Sequence, residues 1–296
     1  MSRPRTILIT GCSEGGLGDA LARALHQHGQ HVIATARSLK KIAHLEEMGI
    51  DTLILDVISS ESISACVAAL ADKTGGGLDM LINNSGNGYA MPLVDSDLDT
   101  ARQLFEVNVW GILAVTQAFL PLLLKSDMGG VVVNNTSINS VLPIPMSGIY
   151  NASKAAAAMM TDTLRLELAP FDIKVVDLKT GAVTSNFYEN RQGGAKPVLP
   201  KDSLYNVAKE DVEGILHGSH TKRLKIDTDQ WAQQVVKELL KTSPPSQIWK
   251  GGNALSAFFS AFLPSAIISH VLSKVGALDV VKKNWNTEGG SHFRKP

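Results

Sequence analysis

Short apolar runs rich in β-branched residues alternate with helix-length segments over most of the chain. The runs are apolar on both faces, which is typical of strands buried within a parallel sheet. This alternation predicts an α/β fold, with a doubly wound parallel sheet of about seven strands covered by helices on both faces. The predicted strands are 6–10, 31–36, 51–57, 78–83, 131–136 and 173–178, with a short last strand in "QIWKGG". The predicted helices are 17–28, 39–48, 60–73, 97–125, 150–169, 202–217 and 228–242.

Charge balance and cysteine count exclude several classes of protein. Lys plus Arg and Asp plus Glu both total 28, so the chain lacks the basic excess of a nucleic-acid-binding protein. Cys12 and Cys66 are too few for a disulfide framework, and nothing near them has metal-ligand spacing. The amino-terminal apolar run is too short for the core of a signal peptide. We therefore expect a cytoplasmic protein with no metal site and no nucleic-acid partner.

A glycine cluster lies between the first predicted strand and the first predicted helix, in "TGCSEGGLG". Gly11, Gly15, Gly16 and Gly18 would let the backbone approach a pyrophosphate, and the helix amino terminus offers N–H groups and a partial positive charge. Because a strand precedes the cluster and a helix follows it, the pattern predicts a Rossmann-like dinucleotide site.

The residues after the second predicted strand, "ARSLKK", bear on the choice of dinucleotide. A site for NAD often has an Asp or Glu at this place to hold the ribose 2′-hydroxyl. This chain has Arg37 and Ser38 instead, and a guanidinium can bind a 2′-phosphate through two parallel hydrogen bonds. The sequence therefore favours NADP(H); a solvated basic turn is the alternative.

Two polar residues end the next strands at the same edge of the predicted sheet. Asp56 ends the third predicted strand and suits a contact with the adenine amino group, and Asn83 ends the fourth. Either residue could instead cap or turn its strand end. We expect both to line one crevice with the glycine loop.

Tyr150 and Lys154 in "YNASK" are spaced to share one face of a helix. A free tyrosine titrates near a pKa of ~10, and a nearby ammonium lowers that pKa because it favours the phenolate. Ser137 ends the fifth predicted strand and would reach the same edge of the sheet. Reduction of a ketone needs a proton donor and a hydrogen bond for the oxygen that gains charge, which these residues can supply.

Five features together resemble the short-chain dehydrogenase/reductase superfamily over residues 6 to about 187: the glycine loop, "NNSG", Asn108 in "NVWG", Ser137, and Tyr150 with Lys154. The resemblance implies that Tyr150 is the general acid in reduction and the base in oxidation. It implies that Lys154 also holds the nicotinamide ribose, and that Asn108 interrupts its helix and positions a water that relays protons.

The resemblance also implies a set of cofactor contacts. These are Gly11, Ser13, Gly16, Leu17, Gly18, Arg37, Ser38, Asp56, Val57, Asn83, Gly86, Tyr150, Lys154, Gly181, Val183 and Ser185. The chain departs from the superfamily pattern twice. Its glycine loop has one residue more, which leaves open whether Gly15 or Gly16 takes the middle place, and Thr180 stands where a proline is usual. In both departures the chain resembles one branch of the superfamily, the fungal and yeast enzymes similar to NADPH-dependent 1-acyldihydroxyacetone-phosphate reductase.

The last third of the chain has a different composition. We expect residues 1–250 to form a single Rossmann-like NADP(H)-binding catalytic domain, with 184–230 as its substrate-side loop and helices. Residues 251–296 are expected to form an apolar helical extension. Its segment 254–272 has no formal charge, and Pro264 and recurring serines divide it into two short helices. A transmembrane helix, a membrane-facing hairpin and a cover over the substrate cleft all remain open for this segment.

The leading hypothesis is NADPH-dependent reduction of a carbonyl on an apolar or lipid-like substrate, or oxidation of the matching alcohol. An acyl-dihydroxyacetone-phosphate and a ketone of fungal secondary metabolism both remain open as substrate. An isomerase or cyclase that retains its cofactor and a non-catalytic NADP(H)-binding scaffold are the alternative functions. The resemblance implies a homodimer or homotetramer, and the apolar segment suggests peripheral contact with an intracellular membrane or lipid droplet.

Overall fold

The structure is a computed structural model and describes residues 3–187, 196–221, 224–260 and 262–289. Residues 188–195 and 222–223 of the expected substrate-side segment lie outside the described residues. The core is one sheet of seven parallel strands in the order β3-β2-β1-β4-β5-β6-β7. The strands are β1 Thr6–Ile9, β2 His31–Ala36, β3 Asp51–Ile54, β4 Met80–Asn83, β5 Val131–Asn135, β6 Lys174–Thr180 and β7 Gln247–Lys250. The predicted doubly wound sheet is confirmed.

Eleven α-helices are described, and most connect consecutive strands. They are α1 Leu17–Gln27, α2 Ala43–Glu47, α3 Ser60–Thr74, α4 Leu98–Phe105, α5 Gly111–Leu123, α6 Gly148–Leu168, α7 Lys209–Leu216, α8 Thr228–Leu239, α9 Ala254–Ser260, α10 Ser265–Val275 and α11 Leu278–Asn284. Because the strand order reverses between β1 and β4, a crevice opens outside the carboxyl ends of these strands.

Both faces of the sheet are buried, which explains why the strands are apolar along their whole length. In β1, Ile7 and Ile9 pack with α1 and α8 on one face, whereas Leu8 packs with α3 and α5 on the other. The side chains of a strand alternate between faces, so each strand contributes to two separate cores. A third cluster packs α7 and α11 against the loop after β4.

Several predicted elements end or divide differently. The predicted helix 202–217, for example, is the 3₁₀ helix Leu204–Ala208 followed by α7. β3 stops at Ile54 rather than at 57, because the backbone turns at Asp56, whose carboxylate accepts from the N–H of Ile58. The predicted helix 39–48 is a 3₁₀ turn followed by the short α2. The predicted helix 97–125 is α4 and α5, joined by the π-helical turn Glu106–Trp110. A π turn of this kind re-aims side chains within a helix and is frequent at functional sites.

The carboxyl-terminal segment 254–272 contains α9 and most of α10, with the non-helical residues 262–264 before Ser265. Pro264 is the N-cap of α10, in keeping with the exclusion of proline from a helix interior. α9 packs on β7 through Trp249 and Phe258, whose ring centroids are 5.4 Å apart. Segment 254–272 is therefore not one continuous spanning helix.

Elsewhere in the described residues, the helical stretch Leu98–Leu123 has the length and composition of a membrane span. Half of its most apolar window is buried inside the fold, as in the core helix of a globular domain.

Candidate active site

A cavity of about 1290 Å³ lies at the carboxyl edge of the sheet. Sites for one small ligand typically measure ~300–1000 Å³, so this cavity has room for a dinucleotide and a second molecule. Most of the predicted site residues line it: Gly11, Ser13, Gly16, Leu17, Arg37, Asp56, Val57, Gly86, Ser137, Tyr150, Lys154, Gly181, Val183 and Ser185. Four predicted residues do not line it: Gly18, Ser38, Asn83 and Asn108.

The glycine loop forms one end of the cavity, directly after β1. Gly16 is the N-cap of α1, receives no side-chain cap and lines the cavity, so the helix amino terminus is open toward an anion. Gly15 turns away with a φ of 71° and faces Asn186. The structure thus gives the cavity-facing place to Gly16. Gly18 packs against the back of the loop. A Cβ there would lie 2.5 Å from the carbonyl oxygen of Gly11, so the close packing requires glycine.

Three cationic side chains line the end of the cavity beyond β2. They are Arg37, Lys40 and Lys41, and all three are exposed. Asp56 lines the same end, after β3. Ser38 instead forms the N-cap of the following 3₁₀ turn, where its carbonyl accepts from the N–H of Lys41.

Asn83 is a structural residue, contrary to the expectation that it lines the crevice. It is buried, and its amide donates to Thr116 Oγ1 at 3.0 Å and to Asn134 Oδ1 at 2.8 Å. The next residue, Asn84, lines the cavity and donates to the carbonyl oxygens of Thr10 and Gly11 at 2.9 and 3.1 Å. Asn84 therefore holds the glycine loop against β4.

Asn108 lies in the middle of the π turn and is fully buried. Its Oδ1 accepts from the N–H of Asn87 at 2.8 Å, and its Nδ2 donates to the carbonyl of Asn87 at 3.0 Å and to Ser153 Oγ at 3.1 Å. The break in the helix thus connects the loop after β4 to α6. A Cβ on Gly86 would lie 3.3 Å from Asn108 Oδ1 and 3.5 Å from Lys154 Nζ, so these groups surround one small space.

Lys154 lies one turn after Tyr150 on α6 and is 5% exposed. Its Nζ donates to the carbonyl of Asn135 at 2.9 Å and lies 5.9 Å from the centroid of the Tyr150 ring. Burial lowers the pKa of the Lys154 ammonium to about 8, against an opposing effect from the carboxylate of Asp177. The Tyr150 ring also packs at 5.5 Å from that of Phe187.

Ser137 follows β5 and faces the same part of the cavity. Its Oγ lies 3.3 Å from the carbonyl oxygen of Thr180 and accepts from the N–H of Asn139 at 3.2 Å. The Asn139 amide in turn donates to Asn151 Oδ1 at 2.7 Å, beside Tyr150 on α6. The turn that follows Ser137 is therefore hydrogen-bonded to α6 at the residue next to Tyr150. The sequence pattern did not single out Asn84, Asn135 or Asn139 as site residues. Asn84 follows β4 directly, Asn135 ends β5, and Asn139 lies in the 3₁₀ turn after β5.

The other end of the cavity is mainly apolar. α9 and α10 form one of its walls, with Ser256 and Ser260 as the polar exceptions on α9. The apolar lining of this region consists of Leu142, Ile144, Ala257, Leu263, Ile267, Ile268, Val271, Leu272 and Val275. The arrangement can therefore hold a dinucleotide at one end and an apolar molecule at the other, with Ser137, Tyr150 and Lys154 between them.

The residues fit a nicotinamide dinucleotide. The uncapped α1 amino terminus suits a pyrophosphate, and the cavity continues from it to Tyr150 and Lys154. Among the described residues, no group of three or more His, Cys, Asp or Glu side chains could hold a metal ion.

Comparison with known proteins agrees with a site for a nicotinamide dinucleotide. The family model for short chain dehydrogenases matches residues 5–195. A short-chain dehydrogenase/reductase of Pestalotiopsis microspora is 44% identical over 283 residues, which cover 96% of this chain and 98% of that one. The NADPH-dependent 1-acyldihydroxyacetone phosphate reductase of Schizosaccharomyces pombe is 31% identical over 280 residues, covering 91% and 93%.

A solved structure shares the fold over the full length. A short-chain dehydrogenase from Streptomyces avermitilis is 26% identical, covers 100% of both chains and superposes with a TM-score of 0.74. The glycine loop, Ser137, Tyr150 and Lys154 line one cavity, and Asn108 is buried behind it. By the family model and these relatives, the chain belongs to the short-chain dehydrogenase family, oxidoreductases that bind a nicotinamide cofactor.

Proposed function

We propose that this protein is an NADP(H)-dependent reductase of an apolar or lipid-like ketone, which also oxidises the matching alcohol. The observation that carries the proposal is the position of Ser137, Tyr150 and Lys154 between the cationic and the apolar ends of one cavity. A polar ketone would gain nothing from the apolar wall of α9 and α10, whereas an apolar one loses water-exposed surface there.

The proposed mechanism gives each residue one task. The bound cofactor supplies the hydride in reduction. Tyr150 donates its phenolic proton to the substrate oxygen, and Ser137 Oγ turns from the Thr180 carbonyl to donate a hydrogen bond to the same oxygen. The Lys154 ammonium, close to the Tyr150 ring, stabilises the phenolate that remains. In alcohol oxidation Tyr150 accepts the proton instead.

The preference for NADP(H) rests on the cationic end of the cavity. Arg37, Lys40 and Lys41 line this end, and no acidic residue takes the place directly after β2. A 2′-phosphate would be attracted by these three charges, whereas an acidic residue at that place would repel it. The name of the fission yeast relative, which states NADPH dependence, agrees with this preference.

A lipid-like substrate would reach the cavity along the carboxyl-terminal helices. Leu255, Phe259 and Phe262 are 67%, 63% and 76% exposed on α9 and the turn after it. Leu263, Ile267 and Val271 line the cavity and are also about half exposed, so the outer surface continues into the apolar wall. We include in the proposal that this surface contacts an intracellular membrane or lipid droplet peripherally.

The π turn and α6 also carry exposed apolar side chains. Trp110, Met159 and Leu166 are 52%, 68% and 77% exposed on the surface of the π turn and α6. A second copy of the chain would cover them, and we propose a homodimer or homotetramer on this basis.

The test is NADPH oxidation by the purified protein with ketones of increasing alkyl length, with and without a phosphate group. We expect kcat/KM to rise with alkyl length, by roughly threefold or more for each methylene that enters the apolar wall. Preference for the phosphorylated series would favour the acyl-dihydroxyacetone-phosphate class over apolar ketones of secondary metabolism. Binding of NADPH without turnover of any ketone would favour the cofactor-retaining isomerase, the cyclase or the scaffold.

A further inference from the structure

A buried ion pair lies on β6 beneath the catalytic residues. Asp177 Oδ2 and Lys179 Nζ are 2.6 Å apart, and both side chains are at least 96% buried. The two residues alternate with Leu178, so they project from the same face of the strand as Val175, which packs in the core that includes Leu168 of α6. The pair therefore lies on the side of the sheet that carries Tyr150 and Lys154.

Each partner of the pair is bonded to the segment that contains Ser137. Thr136, directly before Ser137, donates from its hydroxyl to Asp177 Oδ1. On the other side, Lys179 Nζ donates to Ser140 Oγ at 3.0 Å, and Ser140 Oγ donates to the carbonyl oxygen of Ser137 at 2.6 Å. Ser137 is thus bracketed by two hydrogen-bonded chains that both start at the ion pair.

Lys179 is also fixed from the side of β7. Its ammonium lies 5.4 Å from the centroid of the Trp249 ring, which contacts Phe258 of α9. Cation–π contact holds the ammonium in place while it donates to Ser140. The same lysine therefore connects the Ser137 segment to the helix that forms the apolar wall of the cavity.

A gain in stability alone does not explain why this ion pair is buried. Removing two charges from water costs several kcal/mol per ion, and replacement of a buried pair by apolar residues of similar volume is often neutral or stabilising. Consistent with that cost, burial raises the pKa of the Asp177 carboxyl, against the effect of the Lys179 ammonium. The pair instead fixes the geometry of residues 136–140, because its charge-assisted hydrogen bonds hold both ends of this segment in place.

We propose that Asp177 and Lys179 are positioning residues that hold the segment Thr136–Ser140 so that Ser137 Oγ points into the cavity. The inference rests on the proposed function, since Ser137 acts on the substrate oxygen there. Neither residue lines the cavity, so neither touches substrate or cofactor.

The first test is a double-mutant cycle with Ser137. The variant Asp177→Leu/Lys179→Met removes both charges at similar volume, so that neither member of the pair is left buried without the other. Loss of one hydrogen-bond donor to a developing oxyanion costs roughly 10²–10³-fold in kcat, which sets the upper limit for misplacing Ser137. We expect the paired variant to lose at least tenfold in kcat with its NADPH dissociation constant changed by less than about twofold.

In a Ser137→Ala background the same two substitutions should cost less than about twofold in kcat, because the residue they position is gone. A loss of equal size in both backgrounds overturns the proposal. Such additivity would mean that the pair acts elsewhere, for example through the charge that Asp177 presents to Lys154.

The second test needs no turnover and separates this inference from the proposed function. Backbone amide exchange is followed in the cofactor-free protein, and segment 136–141 should exchange at least tenfold faster in the paired variant. Helix α8, which lies on the opposite face of the sheet, serves as the internal control and should be unchanged. Unchanged protection in 136–141 overturns the positioning role, whereas a wild-type protein that reduces no ketone refutes only the proposed function.

Discussion

Replacing Lys154 by methionine should change how the stability of the protein depends on pH. The ammonium of Lys154 is buried in the wall of the cavity, and the carbonyl of Asn135 is its hydrogen-bond acceptor. Methionine has a similar length and shape but carries no charge, so the variant keeps the packing and removes the cost of burying an ion.

The size and sign of the effect follow from the two pKa values of this lysine. Its pKa falls from 10.5 in the unfolded chain to about 8 in the folded protein, chiefly through burial. Between these values the unfolded chain binds more protons, so the free energy of unfolding rises with pH. The full difference corresponds to about 3 kcal/mol at 1.36 kcal/mol per pKa unit, and roughly 2 kcal/mol of it develops between about pH 7 and pH 9.5.

The assay is urea unfolding of the cofactor-free protein at several pH values across that range. The free energy of unfolding of Lys154→Met is subtracted from that of the wild type, which cancels the other titrating groups. Lys125→Met, which removes one exposed positive charge, is the control for the change in net charge. The difference for Lys154 should move by about 2 kcal/mol in favour of the wild type as pH rises. A difference that is flat, or that moves in favour of the variant, refutes the conclusion that Lys154 is charged at a cost in the folded protein.

Three further predictions concern the cofactor, the glycine loop and the outer surface. Arg37→Asp should weaken NADPH by at least tenfold more than NADH in fluorescence titrations, because a charge-assisted hydrogen bond contributes about 1.5–3 kcal/mol, and equal losses would contradict a 2′-phosphate role. Gly18→Ala should destabilise the protein by about 1–3 kcal/mol in urea unfolding, since its Cβ would lie 2.5 Å from the Gly11 carbonyl, whereas Gly77→Ala, which meets nothing within 4 Å, should change it far less. Phe259→Ser/Phe262→Ser should reduce cosedimentation with phospholipid vesicles at least threefold; unchanged sedimentation would argue against a membrane-facing surface.

Much of the fold could be predicted because its signals are local. Each buried strand is a short apolar run, and the alternation with helices leaves few arrangements other than a doubly wound sheet. The pairing of Tyr150 with Lys154 could also be predicted, because a spacing of four residues places two side chains on the same face of a helix whatever packs around it. Gly16 could not be chosen over Gly15 by the sequence, since that choice depends on where α1 begins.

Other parts of the site depend on tertiary contacts. Asn83 and Asn84 are adjacent, and neighbouring side chains of a strand point in opposite directions, so the sequence gives no rule for which one faces the cavity. Asp177 and Lys179 resemble ordinary charges near a strand end, and only the packing of β7 and α6 around β6 buries them. The placement of α9 and α10 as a cavity wall depends likewise on contacts distant in sequence.

The role of Tyr150 is the central claim of the proposed mechanism. The most direct measurement is the rate of NADPH oxidation by Tyr150→Phe, with the best ketone of the alkyl series as substrate. Tyr205→Phe removes a hydroxyl that does not line the cavity and is the matched control. We predict that Tyr150→Phe loses at least 10²-fold in kcat, the lower end of the contribution of a general acid, with NADPH binding preserved and Tyr205→Phe near wild-type activity. Wild-type turnover by Tyr150→Phe would contradict the mechanism.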